Sequence, residues 1–158
     1  MLKYPIPLLP PNENSAVLPL IEECHEPLVS LAGLTDKIQV HPYYYQLGYP
    51  HALSGCFVRK GVADRLIKTA EDLPVGYYLH VFDGWRPLEV QQSIYDDFKT
   101  QLHNQGYTEG DELDQELSKY VAKPVYRPEK PLGHLSGGAI DLTIGGPDGL
   151  LDMGTDFD

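Results

Sequence analysis

The hydrophobic positions of this 158-residue chain change period along its length. Between residues 61 and 73, Val62, Leu66, Ala70 and Leu73 recur at intervals of four, four and three. That spacing marks one face of an α-helix, and Pro74 and Gly76 close it. The run YYLHVF at 77–82 is aromatic and β-branched, and predicts a strand ending at Asp83-Gly84. Pro87 then stands at a first helical position. Val90, Ile94, Phe98 and Leu102 repeat at every fourth residue until Gly106 stops the helix. DELDQELSKYVA, residues 111–122, predicts a further helix with acids at its start, as the helix dipole favours. AIDLTI at 139–144 predicts a strand, and GGPDG after it a turn.

The rest of the pattern is broken by proline and glycine. Residues 1–15 carry four prolines and are expected to lie extended on the surface. Residues 16–24 and 26–34 predict short elements, 38–58 short strands and loops, and 124–133 a proline-rich loop. No repeat and no linker divides the sequence. The order helix–strand–helix–helix–strand predicts a single α+β domain over 1–158, a small antiparallel sheet with flanking helices.

Composition narrows the function classes. The formal net charge of −11 argues against nucleic acid, whose phosphates need a basic surface. Apolar residues make up 42%, enough for a real core. The N-terminal stretch has one basic residue and an apolar run interrupted by prolines, unlike a secretory leader. No apolar stretch approaches about 18 residues, the length needed to cross a bilayer. Cys24 and Cys56 stand at no metal-ligand spacing; one disulfide or two thiols in a reducing cytosol are both open, the second favoured. A cytoplasmic location is expected.

Candidate chemistry falls in two stretches. In GHLSGGAIDL, residues 133–142, a strand from 139 would place Ala139, Asp141 and Thr143 on one face, with Ile140, Leu142 and Ile144 packed in the core. The glycines at 137 and 138 allow a tight turn that brings His134 back beside Asp141. An imidazole and a carboxylate held together suit a divalent metal, zinc above all. The same residues also fit a hairpin aspartate bonding backbone amides and a histidine on a loop. In FDGWRP, residues 82–87, Arg86 sits between a strand and a helix, where a guanidinium can meet a carboxylate or a developing oxyanion. It also fits an arginine paired with Asp83, which is read as a turn cap. Tyr43, Tyr44, Tyr45 and Tyr49 are read as packing, His80 as structural, and the acids of 111–117 as a solvated helix face.

Together FDGWRP, GHLSGGAIDLTI and MGTDFD resemble the D-alanyl-D-alanine dipeptidases, zinc peptidases of a wider group that includes D,D- and L,D-carboxypeptidases. The family pattern Ser-x-His-x-x-Gly-x-Ala-x-Asp is matched by His134, Gly137, Ala139 and Asp141. Its Asp-Gly-Tyr-Arg-Pro is matched by Asp83, Gly84, Trp85, Arg86 and Pro87. The resemblance is good from about residue 55 onward. It implies that His134 and Asp141 bind zinc and that Arg86 steadies the negatively charged tetrahedral intermediate. It further implies that Asp158 receives the substrate's amino group, and that the substrate is D-Ala-D-Ala or a similar small dipeptide.

The chain departs from the family pattern at two points. Leu132 replaces the serine two places before the histidine, which touches substrate selectivity. The family's Glu-x-x-His or Glu-x-x-Trp-His stretch, source of the base and third ligand, does not occur in these residues. The expectation is a chain truncated at its C-terminus, completed by a further segment or a second chain, with an exposed apolar patch on the sheet. A peptidoglycan carboxypeptidase of the same superfamily and an inactive peptide- or partner-binding fragment are the alternatives.

Overall fold

The computed structural model describes residues 23–125, 133–154 and 157. In chain order the elements are β1 (Leu28–Ser30), β2 (Ile38–Val40), α1 (Tyr43–Gln46), β3 (Phe57–Arg59) and α2 (Lys60–Glu71). There follow β4 (Tyr78–Asp83), α3 (Leu88–Asn104), α4 (Asp111–Leu117), α5 (Gly133–Ser136), β5 (Asp141–Gly146) and β6 (Gly149–Leu150). β1 and β3 form a two-stranded antiparallel sheet, and a four-stranded sheet runs in the order β2-β4-β5-β6. The architecture is α+β.

The expected all-antiparallel sheet needs a correction. β2 and β4 pair parallel, Ile38 opposite Leu79 and Val40 opposite Val81. Between them lie β3 and α2, a connection long enough to cross over and re-enter in the same direction. β4 and β5 pair antiparallel, with an irregularity between Val81 and Asp83.

Two apolar clusters hold these elements. α2 buries Ala63, Leu66 and Ala70 against Ile38, Leu79 and Val81 of the sheet, with Val62 and Leu73 at the flank of the stripe. α3 buries Val90, Ile94 and Leu102 against Leu113 and Leu117 of α4, and Tyr44 joins them. The helix predicted over 111–122 stops at Leu117. Its last turn tightens through Lys119 N–H to Glu116 and Tyr120 N–H to Leu117 carbonyls. Pro124 also disfavours helix in the residue before it. Asp111, Glu112 and Asp114 of α4 are exposed, as expected, whereas Glu116 is half-buried.

β5 begins at Asp141, two residues later than predicted. Ile140 does pack against the first cluster, but Leu142 is 37% exposed rather than in the core. Beyond β5 stands only the two-residue β6, and no residue of a described helix lines the groove on that side. Leu142, Leu150, Leu151 and Met153 are exposed there and, with Phe82 and Phe157, line a groove of about 440 Å³. No helix among the described residues is long and apolar enough to cross a membrane. Cys24 is exposed and Cys56 buried, and both are free thiols.

Candidate metal centre

The two motifs meet in space because both are held on β3. Gly84 lies so close to this strand that a Cβ there would collide with the Phe57 carbonyl oxygen. The next residue, Trp85, donates its N–H to that oxygen at 2.6 Å. On the other side, Arg59 donates its N–H to Gly137 O at 2.9 Å and its Nε–H to Ser136 O at 2.9 Å. The two turns also bond to each other. Trp85 Nε1 donates to Leu135 O at 3.0 Å, and Arg86 N–H to His134 O at 3.3 Å.

His134 stands in α5, one short helical turn, rather than in an open loop. Gly137 ends that turn at φ +74°, a left-handed conformation natural to glycine. The chain then enters β5, whose first residue, Asp141, is the cross-strand partner of Asp83 at the end of β4. Asp83, His134 and Asp141 thus form a half-buried group whose donor atoms lie within 4.8 Å of one another, a set that can hold a metal ion.

The three are not equivalent. His134 Nδ1 lies 2.8 Å from the Gly84 carbonyl oxygen. A carbonyl only accepts, so Nδ1 carries the proton and the lone pair of the neutral ring is on Nε2. Nε2 faces Asp141 Oδ1 at 3.4 Å, whereas Asp83 Oδ2 lies on the Nδ1 side at 3.6 Å. A cation on Nε2 therefore shares Asp141; the Gly84 carbonyl orients the ring, and Asp83, bonded to Arg86, lies on the Nδ1 side beyond hydrogen-bond distance. An imidazole nitrogen and a carboxylate oxygen fit zinc by donor chemistry.

Arg86 completes the cluster and is only 8% exposed. Its Nε donates to Asp83 Oδ2 at 2.7 Å, and Nη1 to Gln91 Oε1 at 2.8 Å. Nη2 reaches Asp141 Oδ2 at 3.1 Å and Tyr44 Oη at 3.4 Å, and the guanidinium carbon lies 4.7 Å from the Tyr44 ring centroid. Asp141 thus offers one oxygen to the imidazole side and the other to the guanidinium. Burial works against the Arg86 charge, but Tyr44, Asp83 and Asp141 outweigh it and raise its pKa. Burial likewise opposes a charged His134, and the Asp141 hydrogen bond overcomes it, so the imidazole sits above its usual range. Asp83 is pushed up by burial against the pull of Arg86.

Arg86, His134 and Asp141 open together onto a cleft of about 270 Å³, which Ile94, Phe98 and Tyr120 also line. Of the residues singled out in the sequence, His134, Asp141 and Arg86 are brought together. Asp158 and Leu132 lie outside the described residues. The Arg86–Asp83 pair offered as the alternative reading is present. The sequence reading missed two contributors: Tyr44, read as packing, also meets the Arg86 guanidinium, and Gln91 was not singled out.

No family model and no solved structure matches the chain. A protein of Synechocystis sp. named D-alanyl-D-alanine dipeptidase is 30% identical to it, across 87% of this chain. The chain spans 61% of the length of that relative. Over most of its own residues the chain is therefore similar to a dipeptidase, and it carries a cluster that can hold a metal ion.

Proposed function

We propose that the chain acts as a zinc-dependent peptidase of the D-alanyl-D-alanine dipeptidase type, cleaving D-Ala-D-Ala or a similar small cell-wall dipeptide. The observation that carries this reading is the division of labour at Asp141: Oδ1 faces His134 Nε2 at 3.4 Å while Oδ2 is held by Arg86 at 3.1 Å. His134 Nε2 and Asp141 would hold the ion. Bound zinc supplies Lewis acidity to an attacking water and to the carbonyl it attacks. The Gly84 carbonyl fixes the imidazole in the tautomer a cation needs. Arg86 is a buried, fully ionised donor at the cleft, placed to meet negative charge gathering on a carbonyl oxygen. Asp158 would receive the substrate's amino group. A third ligand and a general base complete such a site. This reading takes them from a segment beyond these 158 residues or from a second chain. The setting is the cytoplasm, which suits two free thiols.

The test is hydrolysis of a substrate panel by the protein completed with that segment or second chain, with zinc present and after chelation. Free D-Ala-D-Ala is expected to be cleaved only with metal, and Arg86→Ala to lower kcat by about a hundredfold or more. Preference for an acylated D-Ala-D-Ala over the free dipeptide would turn the assignment to a carboxypeptidase. Zinc-loaded protein that cleaves nothing in the panel would end the peptidase reading.

A further inference from the structure

Gln91 lies in the first turn of α3 beside Val90, and 5% of it is exposed. A primary amide is costly to bury unless both of its ends are bonded. Here Oε1 accepts from Arg86 Nη1 at 2.8 Å and Nε2 donates to Ala122 O at 2.9 Å. The orientation is forced, because a guanidinium only donates and a carbonyl only accepts. Asp83 and Asp141 draw Arg86 through Nε and Nη2. Neither reaches Nη1. Gln91 is the neutral acceptor at that corner, and it anchors the corner to the chain that leaves α4.

We propose that Gln91 is a positioning residue for Arg86: it fixes the guanidinium plane against rotation, so that the guanidinium keeps its aim at the wall of the cleft. The importance of that aim rests on the role given to Arg86 in the reading above. The two acids supply the attraction and Gln91 supplies the direction. A glutamate at the same place would still accept from Nη1. It would also put a third carboxylate on the guanidinium and oppose the Ala122 carbonyl, which is a physical reason for an amide here.

The experiment reads Arg86 directly. Side-chain N–H signals are recorded by NMR on the full chain and assigned with Arg86→Lys. Gln91→Met keeps the length and loses the acceptor; Gln91→Asn keeps the amide and falls short, and it carries the same prediction if the Met variant does not fold. In both, exchange of the Arg86 N–H protons is expected to rise by about tenfold or more while core backbone amides stay protected. In the completed protein, with zinc and D-Ala-D-Ala, kcat is expected to fall by about a hundredfold with KM within about twofold. Gln91→Glu is expected to restore slow exchange without restoring kcat. Arg86 exchange that is already fast in the parent protein, or unchanged in the Met and Asn variants, overturns the proposal. If the completed protein cleaves no dipeptide, the peptidase reading falls, and the exchange rates still decide whether Gln91 holds Arg86.

Discussion

Gly137 and Gly138 are neighbours with very different burdens, and substituting each by alanine separates them. At Gly137 φ is +74°, and a Cβ would lie 2.7 Å from Leu28 Cδ2 and 3.2 Å from Arg59 Cγ. Holding an L-residue in the left-handed region costs about 1–2 kcal/mol. Forcing an extra methyl into a packed contact costs about 1–3 kcal/mol. The sum for Gly137→Ala is about 2–5 kcal/mol. At Gly138 the backbone is outside the left-handed range, and the new Cβ would meet only Ser136 Oγ at 3.1 Å. That contact is partly offset by about 0.4–1 kcal/mol from the stiffer unfolded chain, so Gly138→Ala is expected to cost less than about 1 kcal/mol. Urea unfolding of the two variants measures the difference directly. Because Gly137 N–H donates to His134 O, the Gly137 variant is also expected to bind zinc more weakly. Equal stabilities for the two variants, within about 0.5 kcal/mol, would refute the reasoning, since surface-like substitutions differ by no more than that.

Other predictions test the sheet and the buried groups. The Thr143 hydroxyl is buried with no hydrogen-bond partner among the described residues, so Thr143→Val is expected to be neutral or to stabilise by about 1 kcal/mol in urea unfolding; a loss of that size would show a hidden partner. Burial, followed by the charges of Asp83 and Asp141, pushes the Cys56 thiol up to about 12. A thiol reagent at neutral pH is expected to modify Cys24 quickly and Cys56 only on unfolding, whereas two fast thiols would contradict the packing. His80 is held below the ordinary histidine range by burial and then by His41, stacked at 3.9 Å. The unfolded chain therefore takes up this proton as pH falls through about 6.5 while the folded chain does not, and His80 costs stability on the acid side. His80→Leu is expected to narrow the stability difference between about pH 7.5 and about pH 5.5, and an unchanged difference would remove His80 as the cause.

Much of the helical frame was legible because its periodicity is long. Val90, Ile94 and Leu102 bury the face their spacing announces. Proline and glycine also mark the ends of α2 and α3 closely. The short pieces were less legible. A three-residue β2 has no period to read, and its parallel pairing with β4 depends on a crossover that only the whole chain specifies. Leu142 looked like core because strand alternation assigns a side but does not say whether anything covers it. At the site, His134, Asp141 and Arg86 could be named from motif chemistry. The Asp83–Arg86 pair was legible as one of two readings, but on which side of the imidazole Asp83 would lie was not, because that depends on how two distant turns meet. Gln91 and Tyr44 act through a guanidinium 5 and 42 residues away, a relation that local patterns do not encode.

A crystal of the protein grown with zinc, measured at the zinc absorption edge, puts the central claim to its most direct test. The account predicts one anomalous peak about 2.0–2.2 Å from both His134 Nε2 and an Asp141 carboxylate oxygen, with Asp83 still bonded to Arg86. A peak on the Nδ1 side between His134 and Asp83, or none at this cluster in a zinc-saturated crystal, would contradict it.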